Sequence, residues 1–224
     1  MSNRLKAMVD LLPPTDTLAD IGTDHGMLLM TLLTEGKIKK GIGVEIREGP
    51  LGRARNNITA SGYSDRIEIR MGDGLAPVAE GEVTAIAIAG MGGGTIKGIL
   101  EANPAKARSA RWLLLQPMNA ESQLRHFLRK SAWRIDKEAI ALDGGKIYQI
   151  ILAAQGHMEE LSPAEAAFGP KLLEGRSPLT ILAIKKDIEK LENAIRGLDK
   201  SSAPESRRKR EILAGRKKAW EALL

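Results

Sequence analysis

Five short stretches of this sequence combine carboxylates, glycines and amides at spacings suited to holding a polar ligand. The first is Leu18-Ala19-Asp20-Ile21-Gly22-Thr23-Asp24-His25-Gly26. It reads as a strand that delivers Asp20, turns at Gly22 and enters a helix. Glycine permits the tight turn and lets a ligand approach the backbone closely. The helix N-terminus favours an anionic group, a carboxylate or a phosphate. Asp24 stands where the dinucleotide fingerprint G-x-G-x-x-G would carry its middle glycine. A carboxylate there repels a pyrophosphate and suits a ligand with positive charge, an ammonium or a sulfonium. The competing reading is an ordinary strand–turn–helix corner.

Glu45 ends the next apolar run, 25 positions after Asp20. An acid at that place can accept hydrogen bonds from both hydroxyls of a ribose, although many surface strands also end in Glu. Gly72-Asp73-Gly74 follows a third run. Asp73 can accept from a purine amino group while Gly74 lets the loop close over the ring; Asp-Gly is also a common turn pair. Ala89-Gly90-Met91-Gly92-Gly93-Gly94 places four glycines in five positions. Such a run weakens a mere connection. It makes sense where backbone crowds a cofactor (Ala89, Gly90, Met91) and a flat base (Gly92, Gly93), with a flexible turn as the alternative. Gln116-Pro117-Met118-Asn119 offers two amides for reading a base edge, or in Asn119 simply a helix N-cap.

These stretches need a scaffold that brings strand ends together, and the patterning supplies one. Residues 1 to 157 alternate short β-like runs with helical segments. A first helix spans Asn3–Leu12 and ends at Pro13-Pro14. Strands are expected at Thr17–Gly22, Gly41–Ile46, Arg66–Met71, Val83–Ala89 and Arg111–Gln116. Helices are expected at Gly26–Glu35, Glu48–Ser61, Thr95–Ala102 and Glu121–Lys130. Ile135–Leu142 and Lys146–Ala154 flank Asp143-Gly144-Gly145, a hairpin signal. The expectation is α/β: a Rossmann-like sheet of seven strands, mostly parallel, with helices on both faces and an antiparallel last strand. This is the layout of a class I methyltransferase.

Residues 158–224 carry only helical periodicity. Ile181, Ile184, Ile188, Leu191, Ile195 and Leu198 alternate at three- and four-residue steps, a heptad seam. A turn is expected at Asp199–Glu205 and a second helix at about Ser206–Leu224, opposing Leu213, Trp220 and Leu224 to the seam. The two helices form an antiparallel, coiled-coil-like hairpin, or else lie flat on the main domain. Arg207, Arg208, Lys209 and Arg210, then Arg216, Lys217 and Lys218, make its last helix basic. Such runs are commonly a solvated face; the alternative is phosphate contact with a structured RNA.

Composition removes several classes. There is no cysteine, which excludes a disulfide scaffold, a thiolate metal site and a cysteine nucleophile. The three histidines, His25, His126 and His157, show no metal-ligand spacing, so no metal is expected. Aromatic residues are 3%, too few for single-strand binding on stacking platforms. The net charge of +6 permits an anionic partner without demanding one. Met1–Leu12 lacks a long apolar stretch, and Val83–Ile96 is too short and glycine-rich to span a bilayer. A cytoplasmic protein without membrane contact, acting as a monomer, is expected.

In order and wording these stretches resemble the bacterial tRNA (adenine-22-N1)-methyltransferases of the TrmK type. The resemblance rests on Arg4-Leu5, Ala19 to His25, Gly43-Val-Glu-Ile-Arg-Glu-Gly-Pro50, Gly72 to Leu75, Ile88 to Gly93 and Leu114 to Pro117. Asp143 to Tyr148 and Phe168-Gly-Pro170 carry it into the tail. The chain departs from the family's Gln-Pro-Asn at Met118, with Asn119 one place later. The resemblance implies S-adenosylmethionine as cofactor, lined by Asp20, Gly22, Asp24, Glu45, Asp73, Gly74, Ala89, Gly90 and Met91. It implies tRNA as partner, with Asp24, His25 and Gln116 at the reaction. Arg4, Gly92, Gly93, Asn119, Arg207, Arg208 and Arg210 would then contact the substrate. Other classes stay open: a methyltransferase for another RNA, a protein or a small molecule, or a non-catalytic RNA-binding module. A NAD-dependent enzyme is disfavoured by Asp24 and the missing fingerprint.

Overall fold

The computed structural model describes residues 1–198 and 203–224, which form two compact units, Met1–Glu160 and Leu161–Leu224. In the first unit the order is α1 (Asn3–Leu11), β1 (Thr17–Ile21), α2 (Met27–Thr34), β2 (Lys40–Glu45), α3 (Glu48–Ala60) and β3 (Ile67–Met71). Then come β4 (Ala85–Met91), α4 (Gly93–Ala102), α5 (Pro104–Ser109), β5 (Trp112–Pro117), α6 (Glu121–Lys130), β6 (Trp133–Asp143) and β7 (Lys146–Gln155).

One seven-stranded sheet runs β3-β2-β1-β4-β5-β7-β6. The first five strands are parallel, and β7 inserts antiparallel between β5 and β6. The chain order reverses between β1 and β4, the switch point where open α/β sheets bind ligands beyond their strand ends. β1 is buried from Leu18 to Ile21 and β4 from Ala85 to Ile88, and both strands open out only at one end, β4 at the C-terminal end that meets the ligand side of the sheet. Leu18, Leu29, Leu32, Leu114, Ile150 and Leu152 make an aliphatic core without aromatic centres. The hairpin turns at Gly144 (φ +53°) and Gly145 (φ +76°), the paired positive φ of a type I′ turn.

The structure corrects two boundaries around the glycine run. β4 continues through Gly90 to Met91, with a shift of register against β5 between Ala89 and Met91. α4 starts at Gly93, two residues before the expected Thr95, with Gly92 as its N-cap. The glycines are thus a bulge, a cap and a first helical turn, not a flexible loop. α5 was not expected from the periodicity. It is a six-residue helix opened by Pro104, too short to show a repeat.

The second unit holds α7 (Pro163–Phe168), α8 (Pro170–Gly175), α9 (Pro178–Leu198) and α10 (Pro204–Glu221). A capping box between Ser162 and Glu165 starts α7. The seam of α9 buries Ile184, Ile188 and Leu191 against Trp220 of α10 and Phe168 of α7. Those two rings meet edge to face at 5.1 Å, and the Trp220 indole donates to Asp187 at 3.0 Å. The pairs Trp220–Asp187 and Lys217–Glu192 set α9 and α10 antiparallel. Leu224, expected in the opposing stripe, is 49% exposed, and Leu223 packs in its place. Residues 199–202 of the expected Asp199–Glu205 turn lie outside the described residues.

Candidate active site

A cavity of about 1070 Å³ opens at the C-terminal ends of β1, β2 and β4. That lies at the upper end of ligand-pocket sizes, enough for a cofactor and part of a second molecule. Asp20, Gly22, Asp24, His25, Glu45, Asp73, Gly74, Ala89, Gly90, Met91 and Arg4 all line it. Four strand ends and the first helix bring them together from across 88 residues of chain.

The cavity has a buried acidic wall. Asp20 is 5% exposed and accepts a hydrogen bond from the Thr23 hydroxyl at 2.8 Å. Burial pushes its carboxyl up to about 6; the Thr23 bond opposes that rise and the neighbouring charge of Glu45 adds to it. Glu45 is 6% exposed, and its Oε1 accepts from the backbone N–H groups of Ile46 (3.0 Å) and Arg47 (3.2 Å). Its other oxygen has no protein partner among the described residues, which leaves it to a ligand hydroxyl.

Gly22 adopts φ +75°, and a Cβ there would run into the tip of Met91. Gly74, at φ +52°, sits where a Cβ would press on Ile99 at 3.1 Å. Beside it, Arg70 clamps the loop that carries Asp73. Its guanidinium donates to the Pro77 carbonyl at 2.9 Å and to both oxygens of Glu82. These bonds hold the Glu82 carboxyl down to about 2.

At the rim Asp24 has φ +47°, an uncommon backbone for any residue but glycine and tolerated by Asp. Its carboxylate is 3.4 Å from the His25 imidazole and 3.6 Å from the Arg53 guanidinium. Arg53, Ile46 and Thr23 are site residues that motif reading passed over. Ile46 had a signal, an apolar residue directly after the acid that ends a strand. Arg53 had none, because only the packing of α3 brings it to Asp24.

Several expected site residues stand away from the cavity. Gln116 is fully buried and does not line the cavity; its amide is committed to Arg4, Gly90 and Pro117. Gly92 and Gly93 also lie off the cavity. Gly93 is buried where a Cβ would stand 2.7 Å from the Ala120 carbonyl and 2.9 Å from that of Asn119. It lets α4 pack on the loop before α6. Asn119 belongs to that contact, its side-chain oxygen 3.0 Å from the place of a Gly92 Cβ. Gly94 has open space around it, and nothing in the structure explains its identity.

The family model for a methyltransferase domain matches residues 1–151. A Bacillus subtilis tRNA (adenine(22)-N(1))-methyltransferase is 36% identical over 156 residues, 70% of this chain and 66% of the relative. Solved structures extend the match to the whole chain. A candidate tRNA (m1A22) methyltransferase of Streptococcus pneumoniae, in complex with S-adenosyl-L-methionine, is 34% identical. It covers 100% of this chain and 99% of its own, with a TM-score of 0.90. This chain belongs to the TrmK-type tRNA methyltransferase family. The B. subtilis TrmK crystal structure agrees at 28% identity, with a TM-score of 0.90 over 100% of this chain and 98% of that one. The TrmK-type fold thus takes in both units, the helical one included.

The residues present fit the cofactor of such an enzyme. Glu45 offers an accepting oxygen for a ribose, Asp20 and Asp24 offer negative charge for an ammonium and a sulfonium, and the positive-φ glycines clear space at the strand ends. Among the described residues, no three His, Asp or Glu side chains gather in a way that could hold a metal. No helix among them is long and apolar enough to cross a membrane.

Proposed function

We propose that this protein transfers a methyl group from S-adenosylmethionine to N1 of adenine 22 in tRNA, acting as a cytoplasmic monomer. The observation that carries the reading is the cavity at the β1/β4 switch point, with the acids Asp20 and Glu45 buried in one wall and room beyond them. Membership of the TrmK-type family supplies the reaction class.

When bound, the cofactor supplies a methyl group already activated by a sulfonium, so the acceptor needs only a lone pair. Neutral adenine carries one at N1, and no base has to remove a proton first. The N1–carbon bond forms as the carbon–sulfur bond breaks, and the bonding pair stays on sulfur. The protein's task is alignment and exclusion of water, where orientation can supply most of the acceleration. Glu45 holds the ribose hydroxyls, Asp73 meets the cofactor's adenine amino group, and Gly22, Ala89, Gly90 and Met91 shape the floor. Asp24, with His25 beside it, provides negative charge for the cationic methylated base. Its present partners, His25 and Arg53, keep that carboxylate at the rim. The target base has to leave its stack in the folded RNA to enter. Arg4 contacts the substrate at the cavity, and Arg207, Arg208 and Arg210 on the exposed face of α10 contact phosphates.

The test is methyl transfer from labelled S-adenosylmethionine to unmodified tRNA transcripts, with the product digested and identified by mass spectrometry. 1-Methyladenosine that disappears when adenine 22 is replaced is the expected result. No incorporation by protein that still binds the cofactor would overturn the substrate assignment.

A further inference from the structure

Gln116 sits behind the cavity rather than in it, yet its side chain touches both sides of the site. It is fully buried near the end of β5. Its Oε1 accepts from the backbone N–H of Gly90 at 3.1 Å and from Arg4 Nη1, also at 3.1 Å. Its Nε2 donates to the Pro117 carbonyl at 2.6 Å.

Gly90 is the residue skipped by the β4–β5 ladder. Ala89 pairs with Gln116 and Met91 with Pro117, and Gly90 between them bulges out at φ +72°. A bulged residue loses its ladder partner. The Gln116 oxygen is the acceptor that satisfies its N–H instead, which fixes the shape of this stretch of cavity floor. Arg4 arrives from α1, its guanidinium stacked over Tyr148 at 5.2 Å and 3.9 Å from Met118 Sδ. Both Arg4 and Gly90 line the cavity. The last torsion of a glutamine is soft, so its amide plane is held by its partners rather than by a rotamer well. Arg4 is thus one of the partners that set the orientation in which the amide oxygen meets Gly90.

We propose that Gln116 is a positioning residue that couples Arg4 to Gly90: the floor keeps its shape for the cofactor only while Arg4 is seated on the same buried oxygen. The coupling deepens the methyltransferase reading above and rests on it. By linkage, occupancy of Arg4 by the RNA and occupancy of the floor by the cofactor influence each other.

A double-mutant cycle tests this on the full chain, with S-adenosylhomocysteine binding measured by calorimetry and folding checked by thermal unfolding. Arg4→Ala and Gln116→Met are each expected to weaken binding roughly tenfold, the scale of one lost buried hydrogen bond. The double variant is expected to bind no more weakly than Gln116→Met alone, because Arg4 acts through Gln116. Gln116→Glu, which keeps an accepting oxygen, should bind more tightly than Gln116→Met. Should Gln116→Met not fold, the cycle is run with Gln116→Ala, which also removes the accepting oxygen. Fully additive losses, or an Arg4→Ala variant with wild-type affinity, would overturn the coupling. Failure of the wild-type protein to methylate tRNA would overturn the proposed reaction, while the binding cycle still decides the link.

Discussion

Two buried carboxylates at the same wall have different tasks, and their environments separate them. Glu45 is held by two backbone N–H groups and keeps one oxygen for a ligand. Its replacement by Ala should weaken S-adenosylhomocysteine binding about tenfold to a hundredfold, in line with hydrogen bonds to a charged group. An unchanged dissociation constant in calorimetry would remove the ribose assignment. Asp20, by contrast, is held where burial disfavours its charged form. Because burial raises its carboxyl to about 6, the folded cofactor-free protein holds that proton more tightly than the unfolded chain does. Stability therefore falls as pH rises through the window between the ordinary carboxylate value and 6, and the whole penalty is present above 6. The difference amounts to about 3 kcal/mol. Denaturant unfolding of Asp20→Asn against wild type, without cofactor, should show the variant gaining ground across that window and a constant gap above it. Parallel curves would mean that Asp20 carries no such penalty.

At the scale of elements, the glycine run divides into positions that pack and positions that do not. Gly93 brings α4 within backbone contact of the loop before α6, and a methyl group there meets two carbonyl oxygens. Gly93→Ala should destabilise the protein by about 1–3 kcal/mol, as overpacking does. Gly94 stands one residue on in the same helix with nothing near its Cβ position, so Gly94→Ala should stabilise it by about 0.5–1 kcal/mol. Unfolding midpoints of the two variants should move in opposite directions. A shared direction would show that the helix start, and not the packing against Ala120, governs this segment.

Over the whole molecule, the chemistry and the basic helix belong to different units. α10 presents Arg207, Arg208, Lys209 and Arg210 to solvent, while Lys217 is engaged by Glu192 and Glu221 at 3.0 Å each. Replacing Arg207, Arg208 and Arg210 with Ala together should raise KM for tRNA and reduce the salt slope of binding by about 2–3. S-Adenosylhomocysteine affinity should stay at the wild-type value. Unaltered tRNA affinity at every salt concentration would reduce the run to a solvated face.

The sequence alone determined the order of the strands and of the longer helices, the acid and glycine positions at the strand ends, and the heptad seam of α9. These are local properties. Period-two and helical patterns, turn chemistry at Gly144-Gly145 and the spacing of Asp20 from Glu45 are written in neighbouring residues. What only the tertiary structure decided is where side chains from distant elements meet. Gln116 reads as an amide free to touch substrate, yet it is consumed by a bulge in one neighbouring strand and an arginine 112 positions earlier. Gly93 reads as room for a base, yet the room is filled by the loop before α6. Arg53 carries no motif and gains its meaning from α3 lying against the Asp24 turn. A residue's type sets which bonds it can make, but which it does make depends on partners far along the chain, and packing chooses those partners.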